Sequence, residues 1–140
     1  MTYTSIILAA AKAAKISGAL LLAICSYETN LTNVTVYHDG QSPSYGICQV
    51  KYETAQMLGF KGKAESLIDP TVNAKWAAKY LKYQEDRYGS DDWCKLVASY
   101  NAGTYNESKK IPGKPRNLKY VRRVQKYLDE ELQQKLSCDL

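Results

Sequence analysis

Glu28 is the residue of this chain best suited to do chemistry. It follows the apolar run "GALLLAICSY" as its first charge, and burial beside apolar surface penalises an ionised carboxylate, which makes Glu28 a candidate proton donor. Further along, "SYGICQV" supplies Gly46, which lets backbone approach closely, and Gln49, which offers both a donor and an acceptor. Acid, glycine and amide together suggest a cleft for a polar substrate. A second acid, Asp39, lies in "TVYHDGQSP"; it either shapes a turn beside Gly40 or serves as a second carboxylate reaching toward Glu28. In "SYNAG", Tyr100 and Asn101 put a phenol and an amide at a helix end, where side chains can face a cleft.

These residues need elements to hold them. The N-terminal region predicts two helices, roughly Thr4 to Lys15 and Gly18 to Thr29, jointed at "ISG". Lys12 and Lys15 interrupt its apolar character, and neither a signal peptide nor a membrane span fits. The alternation around Val34 and Val36, followed by "DG" and a proline, predicts a short strand or hairpin tongue. A short helix is expected from Gln49 to Met57, then a loop "FKGKAES". Asp69 and Pro70 start a long helix ending near Gly89, whose stripe of Val72, Trp76, Tyr80, Leu81, Gln84 and Tyr88 reads as core. Another helix spans roughly Asp91 to Ala102. The last, about Leu118 to Leu136, carries an apolar stripe of Val121, Val124, Leu128, Leu132 and Leu136.

Composition bounds the class. With 140 residues, 45% of them hydrophobic, the chain fits one compact domain and is not disordered. The net charge of +5 and twelve tyrosines suit an anionic or sugar polymer as partner. Lys109, Lys110, Lys114, Arg116, Lys119, Arg122, Arg123 and Lys126 make the C-terminal third basic, either as a solvated helix face or as a contact for nucleic acid or another anionic polymer. Cys25, Cys48, Cys94 and Cys138 lack zinc-ligand pairing and the one histidine is His38, so no metal site is expected. Cys25 and Cys48, inside apolar runs, read as small buried hydrophobes, while the even count leaves disulfides open.

Four blocks in order carry a resemblance. "LLLAICSYETN", "SYGICQVKYETAQMLG", "LIDPTVNAKWAAKYL" and "ASYNAG", with a later "YV" at Tyr120 and Val121, resemble the lytic transglycosylase family of the lysozyme superfamily, which includes soluble lytic transglycosylases and goose-type lysozymes. The match runs from about Ile6 to Tyr127. Thr29 stands where the family usually has serine, and Ile47 and Cys48 replace the Leu-Met of its Gly-Leu-Met-Gln block.

The resemblance implies a mainly α (α+β) fold, a single lysozyme-like domain over residues 1–140 with a small β-hairpin tongue. It implies cleavage of the β-linkage between N-acetylmuramic acid and N-acetylglucosamine in peptidoglycan, with Glu28 as catalytic acid and then base, and an anhydro-muramoyl product. Substrate contacts carried over are Ser44, Gln49, Tyr100, Asn101 and Tyr120. Asp39 stands near the position of a carboxylate in goose-type enzymes; as a second carboxylate it implies an inverting hydrolase, a geometry needing roughly 6.5–9.5 Å between carboxyls. The remaining alternatives are a non-catalytic peptidoglycan-binding module and a nucleic-acid-binding protein using the basic C-terminal segment around Arg122 and Arg123. Glycan strands are the expected partner, with no nucleic acid, no cofactor and a monomeric chain. The organisation resembles phage endolysins and virion-associated enzymes, made in the host cytoplasm and acting on the wall, although secretion-system transglycosylases are similar.

Overall fold

The computed structural model describes residues 1–40 and 42–138. The chain forms two compact units, Met1–Lys82 and a second from Tyr83 onward. The described residues make seven α-helices and one three-stranded antiparallel sheet, the mainly helical α+β composition expected from the sequence.

The first unit opens with α1 (Tyr3–Ala14) and α2 (Gly18–Thr29). Both begin on a hydroxyl cap: Thr2 Oγ1 accepts from the Ser5 N–H at 3.0 Å and Ser17 Oγ from that of Leu20 at 3.1 Å. Both end on a left-handed residue, Lys15 and Asn30. The helices pack closely at Gly18, where a Cβ would lie 2.8 Å from Leu8 Cδ2. Leu20, Leu21, Ala23, Ile24 and Cys25 are buried, which accounts for the uninterrupted apolar run before Glu28.

The tongue is a meander of β1 (Thr35–Asp39), β2 (Ser42–Tyr45) and β3 (Val50–Lys51). Val36 pairs with Ser44 and Tyr45 with Val50. Helix α3 (Tyr52–Met57) therefore starts later than the sequence reading, because Val50 and Lys51 pair with β2 before the chain coils. The expected loop contains a 3-10 turn, Ala64–Ile68, and Asp69 then caps α4 (Pro70–Tyr88), accepting from the N–H groups of Thr71 and Val72.

The inner face of α4 differs from the expected stripe. Its fully buried residues are Asn73, Ala74, Ala77, Ala78, Leu81 and Gln84, whereas Val72, Trp76, Tyr80 and Tyr88 are only half-buried. Small side chains let helices approach, and the large rings sit at the margin where they keep a wet edge.

The second unit holds α5 (Trp93–Ala102), α6 (Leu118–Gln125) and α7 (Glu130–Lys135). The sequence pattern merges the last two into one helix; the chain instead turns at Lys126–Asp129. Asp129 wins that position as N-cap, accepting from the Leu132 N–H at 2.9 Å, while Tyr127 and Leu128 make three-residue turns back to Val124 and Gln125. The stripe survives the break: Val121, Val124, Leu128 and Leu136 are buried. All four cysteines are paired, as Cys25–Cys48 and Cys94–Cys138, so Cys25 and Cys48 are not free thiols packed as hydrophobes.

Gly46 has φ +75°, and a Cβ there would lie 2.5 Å from Asn73 Nδ2 and 3.0 Å from the Leu67 carbonyl. Gly46→Ala is expected to lower stability by about 1–3 kcal/mol, from backbone strain plus overpacking. Urea unfolding measures it; a loss below about 0.5 kcal/mol would show that the turn relaxes freely.

Candidate functional site

In the first unit, Glu28 is the penultimate residue of α2 and is half-buried. Helix ends fray, and this one is tied down on both sides of the acid. Three residues before it, on the same helical face, Cys25 is bonded to Cys48. One residue after it, Thr29 Oγ1 donates to the Ile47 carbonyl at 2.8 Å, contacts the Cys25 carbonyl at 3.3 Å and accepts from the Thr32 N–H at 3.3 Å. The Thr29 hydroxyl thus holds the helix end.

Both ties lead to the β2–β3 turn, Gly46–Gln49. Buried Asn73 builds this turn from below: its Oδ1 accepts from the Cys48 N–H at 2.9 Å, and its Nδ2 donates to the Tyr45 and Leu67 carbonyls, each at 2.7 Å. The space for that amide is the absent side chain of Gly46. Gln49 closes the turn at φ +54°. Its Nε2 donates to the Gly46 carbonyl at 2.9 Å and the Val34 carbonyl at 3.2 Å. The sequence offered Gln49 as both donor and acceptor; with its NH2 so engaged, its oxygen remains as an acceptor.

Asp39 lies at the exposed end of β1. Its carboxylate accepts from Ser44 Oγ at 2.5 Å, and Lys51 Nζ donates to its main-chain carbonyl at 2.6 Å. Ser44 is buried, so its hydroxyl braces the tongue through Asp39.

In the second unit, Tyr100 is buried within α5, Asn101 is exposed on its last turn and Tyr120 is half-buried on α6. Asn101 Oδ1 accepts from Asn117 Nδ2 at 2.9 Å. The end of α5 is fixed from α4: Gln84 Nε2 donates to the carbonyls of Ser99 (3.3 Å) and Gly103 (3.0 Å). Arg87 donates to Gln84 Oε1, the Gly103 carbonyl and Thr104 Oγ1. Thr104 in turn meets the Tyr88 hydroxyl at 3.0 Å, which accepts from the Tyr105 N–H at 2.9 Å. Burial raises the Tyr88 phenol, but its bonds from Thr104 and the Tyr105 amide and the charges of Arg87 and Lys95 outweigh this and leave it lowered. Burial, with Glu107 and Asp92 nearby, raises that of Tyr105.

Asn73, Gln84, Arg87 and Asn117 are the supports that a site-directed reading of the sequence overlooks. For Asn73 and Gln84 a signal exists, since each is a carboxamide on the inner face of an otherwise alanine- and leucine-lined helix. Arg87 and Asn117 look like ordinary surface residues.

Residues 5–121 match the family described as Transglycosylase SLT domain. Among solved structures, the chain is similar to the lytic transglycosylase Slt of Pseudomonas aeruginosa, determined as an inactive glutamate-to-glutamine mutant, with a TM-score of 0.63 at 17% identity. That likeness covers 94% of this chain and 22% of the other, so the chain spans about a fifth of that protein's length, and it establishes a lysozyme-like lytic transglycosylase fold. No curated protein matches the chain.

Thr29→Val removes the hydroxyl at nearly constant volume and strands the Ile47 carbonyl. It is expected to destabilise by about 1–3 kcal/mol, with Thr29→Ser close to wild type; equal unfolding midpoints for all three proteins would rule out the tie. Separately, a 13Cζ NMR titration should find Tyr88 ionising below the ordinary tyrosine range and Tyr105 above it, and the reverse order would refute the network as drawn.

Proposed function

The chain belongs to the transglycosylase SLT domain family, and from that premise we propose that it cleaves peptidoglycan as a lytic transglycosylase, with Glu28 as both acid and base. The observation that carries this reading is the anchoring of the α2 end, where the acid sits between two crosslinks to the β2–β3 turn. A helix end held that firmly gives the acid a fixed base from which to work, as proton transfer to a positioned substrate requires.

Glu28 donates its proton to the glycosidic oxygen as the bond from the muramic C1 breaks, and the developing oxocarbenium-like centre is assisted by the sugar's own N-acetyl group. The resulting carboxylate takes the proton from the C6 hydroxyl, whose oxygen closes on C1. The proton given up leaves on the hydroxyl of the departing sugar and the one regained comes from the C6 hydroxyl, so the acid is restored, no water enters and no second carboxylate is required. Gln49, Tyr100, Asn101 and Tyr120 are proposed as contacts to the glycan, and Ser44 as a brace for the tongue.

Hydrolysis is the second reading, favoured by the Ser44 bond that orients the Asp39 carboxylate. An Asp39 carboxylate able to activate water would give inversion and a reducing end.

The two disulfides support work in an oxidising compartment on the wall side of a membrane. Among the described residues no helix is long and apolar enough to cross a membrane. We propose a phage-encoded enzyme of lysis or wall penetration; a gene set for a secretion apparatus around the coding sequence would replace that setting with a bacterial one.

Glu28→Gln should keep the fold and lower release of soluble wall fragments by at least about a hundredfold. Mass analysis of wild-type digests should find fragments lighter by one water than hydrolytic ones, with Asp39→Asn retaining activity within about threefold. Reducing ends that disappear in Asp39→Asn would instead establish hydrolysis, and undiminished wall clearing by Glu28→Gln would reject the assignment of the acid.

A further inference from the structure

Asn117 occupies the N-cap of α6, where an asparagine side chain ordinarily accepts from its own helix's free N–H groups. Here it caps nothing on α6. Its Nδ2 reaches α5 instead, donating to the Ala98 carbonyl at 3.0 Å and to Asn101 Oδ1 at 2.9 Å.

Those two bonds fix the polarity of both amides. A main-chain carbonyl can only accept, so the end of Asn117 that faces α5 is its NH2. Asn101 must then offer that NH2 its oxygen. The orientation follows from bonding capacity alone, which settles the usual ambiguity between amide nitrogen and oxygen. Asn101 Nδ2 consequently points away from Asn117, on an exposed turn, and makes no hydrogen bond among the described residues.

We infer that Asn117 is a positioning residue that presents Asn101 to the glycan strand purely as a hydrogen-bond donor. The complementary group is an acceptor oxygen, and on a strand of N-acetylated amino sugars the acetamido carbonyl is the strongest such acceptor. An unrestrained asparagine would divide its time between offering a donor and offering an acceptor; holding one face removes that loss before binding. This inference rests on the peptidoglycan reading above and adds to it the direction in which one contact is made.

Asn117→Asp reverses the geometry, because a carboxylate only accepts: it draws in the Asn101 NH2 and turns the oxygen outward. On soluble N-acetylated glycan strands KM should rise about tenfold, the order expected for losing one good hydrogen bond, with kcat changed much less. Asn101→Asp keeps the inward oxygen but loses the outward donor, and should raise KM by a similar factor. In an Asn101→Ala background, Asn117→Asp should add nothing further. An additional, undiminished loss in that background would mean that Asn117 serves the fold alone and would overturn the inference. Should Asn117→Asp not fold, hydrogen exchange of the wild-type side-chain amides decides: the Asn117 NH2 should be protected and that of Asn101 should exchange freely, and the opposite result overturns the orientation. A wild-type protein that neither binds nor cleaves the strands rejects the peptidoglycan reading instead, leaving the orientation to stand or fall on the exchange measurement.

Discussion

The first unit depends on how the C-terminal end of α2 is prevented from fraying. Glu28 lies within the last turn, where carbonyls lack helical partners and the backbone is least constrained. Three features remove that freedom. Asn30 takes a left-handed cap and donates its N–H to the Ser26 carbonyl, Thr29 donates to Ile47, and the Cys25–Cys48 bridge closes 23 residues of chain. A loop of that size contributes on the order of 3 kcal/mol, largely through the unfolded state, and the hydroxyl bond about 1 kcal/mol. The bridge and the hydroxyl bond end on consecutive residues of one turn, so the acid and that turn move as one piece.

The turn in turn depends on a buried carboxamide. Asn73 satisfies the Cys48 N–H and the Tyr45 and Leu67 carbonyls at once, none of which could be left unpaired in the interior without a penalty of about 1–3 kcal/mol each. An aliphatic side chain of that size would fill the space and satisfy none of them. Gly46 is the other half of the same device, because only a residue without Cβ leaves room for the amide. The second unit repeats the solution with different residues: buried Gln84 gathers the Ser99 and Gly103 carbonyls at the end of α5, and Arg87 locks Gln84 in place. In each unit one carboxamide on α4 substitutes for regular backbone pairing where the chain turns away from a helix or strand.

Much of this was legible in the sequence. The bounds of α2, the Asp69–Pro70 start of α4, the stop of α5 at Gly103 and the tongue follow from capping and turn chemistry, which act locally and so leave local signatures. The break between α6 and α7 was hidden because an apolar stripe continues across it; without glycine or proline, only Asp129 marks the new start. The disulfides were equally hidden, since Cys25 and Cys48 sit in apolar runs whether bonded or free, and pairing depends on tertiary approach. Of the candidate site residues, the sequence located Glu28 and Asn101 but not what restrains them. Thr29, Asn73, Gln84 and Asn117 act across 18, 25, 19 and 19 residues of chain, respectively.

That distance matters most for the polar residues whose role is ambiguous by type. Gln49 and Asn101 each carry a donor and an acceptor, and the sequence leaves both options open. In the folded chain, main-chain carbonyls resolve them in opposite senses. Gly46 and Val34 engage the Gln49 NH2, leaving its oxygen as acceptor, whereas Ala98, acting through Asn117, engages the Asn101 oxygen and leaves its NH2 as donor. A side chain with fixed polarity binds its complement without first reorienting, and it leaves a buried mismatch against the wrong group, so the same restraint serves affinity and discrimination. The backbone carbonyl, a group that can only accept, is therefore what converts a chemically indifferent amide into a directional contact.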